Sequence, residues 1–195
     1  MTAKKHDKKF LRMIGKFLIG LLILLIILVA FGLIREAILR KNYSSEYPAP
    51  GETITIGDHD IHLNCFGEGS PTVVFEADLD QYGSLSWDPV QKEVSKLTRA
   101  CSYDRAGILW SEPRPRPRDG ETIAAELKTL LKNAGEEGPY LLVGHGFGGA
   151  YLRIFAGINP EDVAGMVLVE SSHPDMLIRF EEITGTPQEL SLIHI

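Results

Sequence analysis

The hydrophobic pattern of the chain changes character near residue 41. Residues 17–34 form an apolar run of eighteen positions without a charge, and Lys4, Lys5, Lys8, Lys9, Arg12 and Lys16 precede it. As a helix rising about 1.5 Å per residue the run extends roughly 27 Å, close to the ~30 Å of a bilayer's hydrocarbon core once the stem of Lys16 snorkels. We read residues 13–35 as an uncleaved signal-anchor and 1–12 as a basic tail. A cleaved signal peptide fits less well, because no small-x-small site follows and the run continues into a charged stretch at 35–41. A buried core helix is the other alternative. Basic residues are denser before the span than after it, so the amino terminus is expected in the cytoplasm and the remainder on the far side.

Residues 36–52 read as a linker, polar and proline-bearing from 41 onward. The alternating runs 53–56 and 60–65 around Gly57-Asp58-His59 predict a β-hairpin. After the turn Gly67-Glu68-Gly69-Ser70-Pro71, residues 72–76 predict a strand, 87–97 a short amphipathic helix and 99–104 another strand. Residues 105–120 contain Pro-Arg-Pro-Arg-Pro-Arg, which suits an extended loop rather than helix or strand. Ile123, Leu127, Leu130 and Leu131 recur at helical spacing, predicting a helix over 122–134 closed by Gly135. Strand 140–143, helix 150–157 and strand 163–170 follow. Strands alternating with helices imply a mostly parallel sheet covered on both faces, entered through an antiparallel hairpin.

Length and charge narrow the class. The 195 residues hold one ordinary domain, and the formal net charge of −6 is carried by the part after the span, which excludes a nucleic-acid partner. Two cysteines, Cys65 and Cys101, lack the spacing of a zinc site and by themselves read as buried thiols. Glu76, Asp78 and Asp80 alternate as at the start of a calcium loop. Gln81 stands where that loop needs glycine and no glutamate closes it, so no metal site is assigned beyond at most a surface cation.

The most informative stretch is 141–149, Leu-Leu-Val-Gly-His-Gly-Phe-Gly-Gly: an apolar strand, a sharp glycine-rich turn and the start of a helix. Such a turn is the nucleophile elbow that lifts a serine above a sheet, and Gly146 stands in the serine's place. With 71–77, Ser102-Tyr103-Asp104-Arg105-Ala106-Gly107 and 163–175, this stretch resembles the α/β-hydrolase fold family, in its order of elements and its spacing. The resemblance runs from about residue 53 to 175. It implies a partial α/β-hydrolase domain over 53–180, truncated after about the sixth strand, with 181–195 a truncated or foreign tail. It also implies hydrolysis of an ester or related acyl substrate without a cofactor, two oxyanion-hole amides at Phe147 and about Leu79, and strands that place Cys65 beside Cys101 as a possible disulfide.

The chain departs from that pattern at Gly146, at Asp78 and Asp80 where the oxyanion loop ordinarily carries glycine, and at Leu109, also usually glycine. Glycine offers no atom to be acylated. A carboxylate about 5 Å from a developing oxyanion raises its energy by roughly 3 kcal/mol at an effective dielectric near 20, about two orders of magnitude in rate. His145 is the elbow's structural neighbour, and none of the six histidines falls at the catalytic base. Glu170 ends a strand where a minority of the fold's members put their acid, or is a plain strand-end carboxylate. The expectation is a single-pass protein anchored in the lipid bilayer, with a hydrolase-like domain outside the cytoplasm that is inactive as written. The alternative is a pseudoenzyme whose retained cleft, lined by Asp78, Asp80, His145 and Glu170, binds a small acyl or ester ligand, or a cationic or polyhydroxyl one.

Overall fold

The computed structural model describes residues 3–114 and 118–173, with Asp175 and Glu182. The middle of the proline-arginine loop, 115–117, and all but Glu182 of the expected tail 181–195 lie outside the described residues. Two units separate, Met1–Pro48 and Ala49–Ile195. The first is built on one helix, α1 (Ala3–Glu46), whose stretch Ile14–Leu39 is long and apolar enough to cross a membrane. α1 continues to Glu46, well into the segment expected as linker. Residues 36–46 contain neither glycine nor proline, and a nucleated helix keeps propagating until Pro48 and Pro50 deny it a donor and the required backbone angles.

Among the described residues the second unit has six strands. β1 (Glu52–Ile56) and β2 (His59–Phe66) form the hairpin, β3 is Val73–Glu76, β4 Ala100–Tyr103, β5 Tyr140–His145 and β6 Val163–Val169. Their order in the sheet is β1-β2-β4-β3-β5-β6. β1 and β2 run antiparallel, as do β2 and β4, and the remaining neighbours are parallel. The β2–β4 register sets Cys65 directly opposite Cys101, and a disulfide joins them.

Helices α2 (Asp88–Val94), α3 (Gly120–Asn133) and α4 (Gly148–Ile158) cover the sheet. The pleat divides its side chains: Val74, Cys101, Tyr103 and Leu142 pack with Leu127, Leu130 and Leu131 of α3 and Leu152 and Phe155 of α4. On the opposite face Val73, Phe75 and Ala100 pack with Ala77 and Trp87. Local sequence sets the ends of α3. Asp119 accepts from the Thr122 amide at 2.8 Å as N-cap, and Gly135, with φ +76°, turns the chain out of the helix. The single helix expected over 87–97 instead begins as a 3-10 turn, Gly83–Trp87, and α2 starts at Asp88-Pro89, because proline has no amide to offer a preceding turn. β6 is an edge strand whose Val167, Leu168 and Val169 are exposed.

The disulfide closes a span of 36 residues. By loop-closure entropy its removal costs about 3–4 kcal/mol. Replacing both cysteines by serine is expected to lower the urea midpoint of the full chain accordingly, and an unchanged midpoint would show that the bond contributes nothing.

Candidate functional site

The elbow between β5 and α4 is built by close backbone approach. A Cβ on Gly144 would strike Gly149, and one on Gly148 would strike the carbonyls of Glu76 and Ala77, so only hydrogens fit where the strand turns into the helix. At the turn itself Gly146 is buried with φ +55°, the left-handed conformation a nucleophile at an elbow must hold. Its amide donates to the Val169 carbonyl at 3.2 Å, and its own carbonyl accepts from Ser172 at 3.1 Å.

Above Gly146 lies the carboxylate of Asp78. Oδ1 accepts the Phe147 amide at 2.7 Å, and a Cβ added at residue 146 would overlap Asp78 Cγ and both oxygens. The β3 loop therefore delivers a negative group into the space a side chain at 146 would take, and it occupies an amide that faces the elbow at the start of α4. Leu79, the other expected oxyanion position, is half-buried.

Asp80 is engaged by its own neighbours. Its Oδ1 accepts from the amides of Tyr82 at 2.8 Å and Gly83 at 3.0 Å, and its Oδ2 from Ser86 Oγ at 3.1 Å. A short acidic side chain just ahead of a turn satisfies that turn's free amides, so Asp80 braces the start of the 3-10 turn. His145 packs its ring edgewise on Trp87, centroids 6.5 Å apart. Glu170 lies one residue past β6, exposed and with φ +45°. Leu109, standing for a usual glycine, keeps the left-handed backbone at φ +41°.

The loop that carries Asp78 is held from below by Arg105. Its guanidinium donates to Glu76 Oε1, to the Ala77 carbonyl at 2.6 Å and to the Asp78 carbonyl, and it lies 5.3 Å over the Tyr151 ring. Tyr103 donates its hydroxyl to the other Glu76 oxygen. All three members are buried, Glu76 at 1 %, Tyr103 at 3 % and Arg105 at 7 % exposure. Burial pushes the Glu76 carboxyl above the usual glutamate range, with Arg105 pulling the other way. Burial, with the neighbouring Glu76 charge, pushes the Tyr103 phenol well above its usual range.

Reading the sequence locally misses this brace. The available signal is an acid and an arginine each placed at the carboxyl end of a short apolar strand, since β3 and β4 are parallel neighbours. Glu76, Asp78 and Asp80 thus turn to three different sets of partners. Among the described residues the group close enough to ligate a metal is Cys65, Cys101 and Glu136. Both of its sulfurs are in the disulfide, and Glu136 is paired with Arg99 at 2.6 Å. A depression lined by Lys128, Lys132, Glu136 and Tyr140 sits at the amino-terminal end of β5, remote from the elbow at its other end.

A family profile described as the alpha/beta hydrolase fold matches residues 66–188, more than half of the chain. The chain belongs to the α/β-hydrolase fold family. It is 33 % identical over 130 residues to the uncharacterized protein YqjL of Bacillus subtilis, covering 66 % of this chain and 49 % of that protein. It is 30 % identical over 138 residues to an uncharacterized vacuolar membrane protein of Saccharomyces cerevisiae, covering 62 % of this chain and 21 % of that one. The match to the lipase LipV of Mycobacterium tuberculosis is 30 % over 112 residues, covering 57 % and 41 %. The chain therefore spans half or less of the length of these relatives. Cfl2 from Burkholderia cenocepacia superposes with a TM-score of 0.59 at 23 % identity, over 63 % of this chain and 42 % of that one. A thermophilic esterase from Thermogutta terrifontis superposes with a TM-score of 0.56 at 20 % identity, over 68 % and 51 %. At that identity the superpositions speak for the fold alone.

The brace has a pH signature. A carboxyl whose folded pKa is raised contributes stability below its unfolded value and loses it as pH rises through the folded one, and Arg105 offsets that loss by pairing with the anion. Arg105→Met is expected to cost about 3–5 kcal/mol at about pH 8, with part regained toward pH 5 as Glu76 takes a proton. Urea midpoints of the full chain at the two pH values check this; a loss that does not depend on pH would remove Glu76 from the account.

Proposed function

We propose that this chain is a membrane-tethered member of the α/β-hydrolase family that does not perform acyl transfer at its elbow, and whose retained site acts as a binding site. The observation that carries this reading is the pair formed by Gly146 and Asp78. The position that would attack a carbonyl has no side chain, and the amide that would hold the oxyanion already serves a carboxylate. Either change alone is costly, since one oxyanion donor is worth about 2.7–4 kcal/mol of transition-state stabilisation and a glycine cannot be acylated at all. The reading concerns this elbow whatever else a longer protein contains.

The tether is supported by α1 and by the yeast relative described as a vacuolar membrane protein. We place the amino terminus in the cytoplasm on the strength of the basic residues ahead of the span. An impermeant thiol reagent applied to intact cells is expected to label a cysteine introduced at Ser44, and labelling only after lysis would reverse the orientation.

For the elbow, the full chain in detergent is treated with a fluorophosphonate and with an activated ester. No label and no burst are expected. Gly146→Ser is expected to stay unlabelled and to lose about 1–3 kcal/mol of stability, because its Cβ overlaps the Asp78 carboxylate. Stoichiometric labelling of the unaltered chain would overturn the proposal.

A further inference from the structure

We propose that Cys65, Cys101 and Glu136 are a site for a thiophilic divalent cation, zinc, in the chain whose disulfide is open. The two cysteines either cross-link the sheet or, as thiolates, chelate the metal together with the carboxylate. The site lies toward the amino-terminal ends of the parallel strands, where Cys101 pairs with Val74, whereas the elbow follows the carboxyl end of β5. Its occupancy is therefore independent of what residue 146 can do.

Three separate stretches of sequence bring the donors together. β2 and β4 are antiparallel and set Cys65 directly opposite Cys101, Cα atoms 4.1 Å apart, so both side chains leave the same face of the sheet. That face is the one α3 covers, since Cys101 packs with Leu127, Leu130 and Leu131. Gly135 turns the chain out of α3, and the amide of the next residue, Glu136, closes back on the Leu131 carbonyl at 2.9 Å. The two sulfurs and a carboxylate oxygen of Glu136 lie within 4.8 Å of one another. A tetrahedral zinc ion bound to two thiolates at about 2.3 Å holds its sulfurs roughly 3.8 Å apart, a distance that side chains of directly paired strand residues span.

The surroundings supply what a thiolate site needs. Arg99 fixes the carboxylate: its Nε and Nη2 donate to Glu136 Oε1 at 2.9 and 2.6 Å. Oε2 takes only longer contacts, 3.1 Å from Arg99 Nε and 3.5 Å from Thr72 Oγ1, and so keeps capacity for a cation. Formal charge closes too, because two thiolates, one carboxylate, a divalent cation and Arg99 come to zero, and no charge is left uncompensated in a buried place. Thiolates select zinc over magnesium and calcium, which take oxygen donors. Cys65 is half-buried and Glu136 lines the depression beside Lys132 and Tyr140, which gives a cation a way in and a water a place as fourth ligand.

Opening the bond takes two electrons and two protons. A dithiol supplies both by closing its own disulfide, and each cysteine sulfur gains one electron and one proton. The cation then displaces both protons to solvent, with no further change in oxidation state.

The experiment opens the bond in the full chain in detergent with a water-soluble phosphine, which becomes its oxide by taking oxygen from water and leaves no added thiol to compete for metal. Cadmium is then added as an optical probe, and zinc is added to displace it. A sulfur-to-cadmium charge-transfer band is expected to saturate at a single equivalent and to vanish with zinc. Zinc is also expected to shield both thiols from a maleimide and to raise the thermal transition, and magnesium to do neither. The chain with its disulfide closed is expected to give no band, and reduced Glu136→Gln to bind roughly ten-fold or more weakly than the reduced unaltered chain. An absent band, binding that Glu136→Gln does not weaken, or equal binding in urea beyond the unfolding transition, where the fold no longer gathers the donors, would overturn the inference. So would a reduced chain that stays unfolded with zinc present.

Discussion

The carboxyl edge of the sheet depends on one buried ion pair. Arg105 leaves the end of β4 and meets Glu76 at the end of the parallel neighbour β3, and the same guanidinium holds the next two carbonyls of the β3 chain and covers the Tyr151 ring on α4. Four pieces of structure therefore share one cation. Such a pair is weak evidence for net stability, because taking both charges out of water costs several kcal/mol per ion. Its effect is positional. Each carbonyl has one direction in which the guanidinium satisfies it, so the loop beyond Glu76 has little freedom to place Asp78 anywhere but above the elbow.

The turn between β5 and α4 separates two kinds of glycine. Gly144, Gly148 and Gly149 are dictated by backbone packing and would be needed for any residue at 146. Gly146 is different, because its left-handed φ is a strain that an ordinary residue bears only for function, and glycine relieves it. Gly146 and Asp78 are also complementary, since the glycine makes room for the carboxylate. The bond to Phe147 then satisfies an amide that would otherwise face an empty seat.

Most of the fold is legible in the sequence, and the reason is local. Alternation marks β1 and β2, the spacing of Ile123, Leu127, Leu130 and Leu131 marks α3, and Gly57 and Gly135 punctuate them. What escapes is set by partners distant in the chain or by the lack of a signal. The 3-10 turn at Gly83–Trp87 is held by Asp80 and by Asp104, which accepts the Ser84 amide at 2.7 Å from another strand end. The continuation of α1 to Glu46 has no marker, because polar residues that tolerate helix look like linker until a proline appears. Asp78 and Asp80 look alike in sequence, two acids in one loop. Only the fold separates them, sending one to the amide of Phe147, 69 positions away, and the other to its own neighbours.

That separation has an electrostatic basis. α4 begins with Phe147 as N-cap, and neither a capping side-chain bond nor an acidic residue in its first turn answers its free amides. A helix amino terminus in that state carries about half a positive charge and favours an anion by roughly 0.3–1 kcal/mol, up to about 2 where partly buried. In an acylating enzyme that potential is held in reserve for a charge that appears only during reaction. Here α4 supplies no anion from its own sequence, and the nearest chain that brings one is the β3 loop, whose path Arg105 has fixed. Asp78 therefore acts as a cap lent from another element, and its bond to the positive end of α4 stabilises the native state.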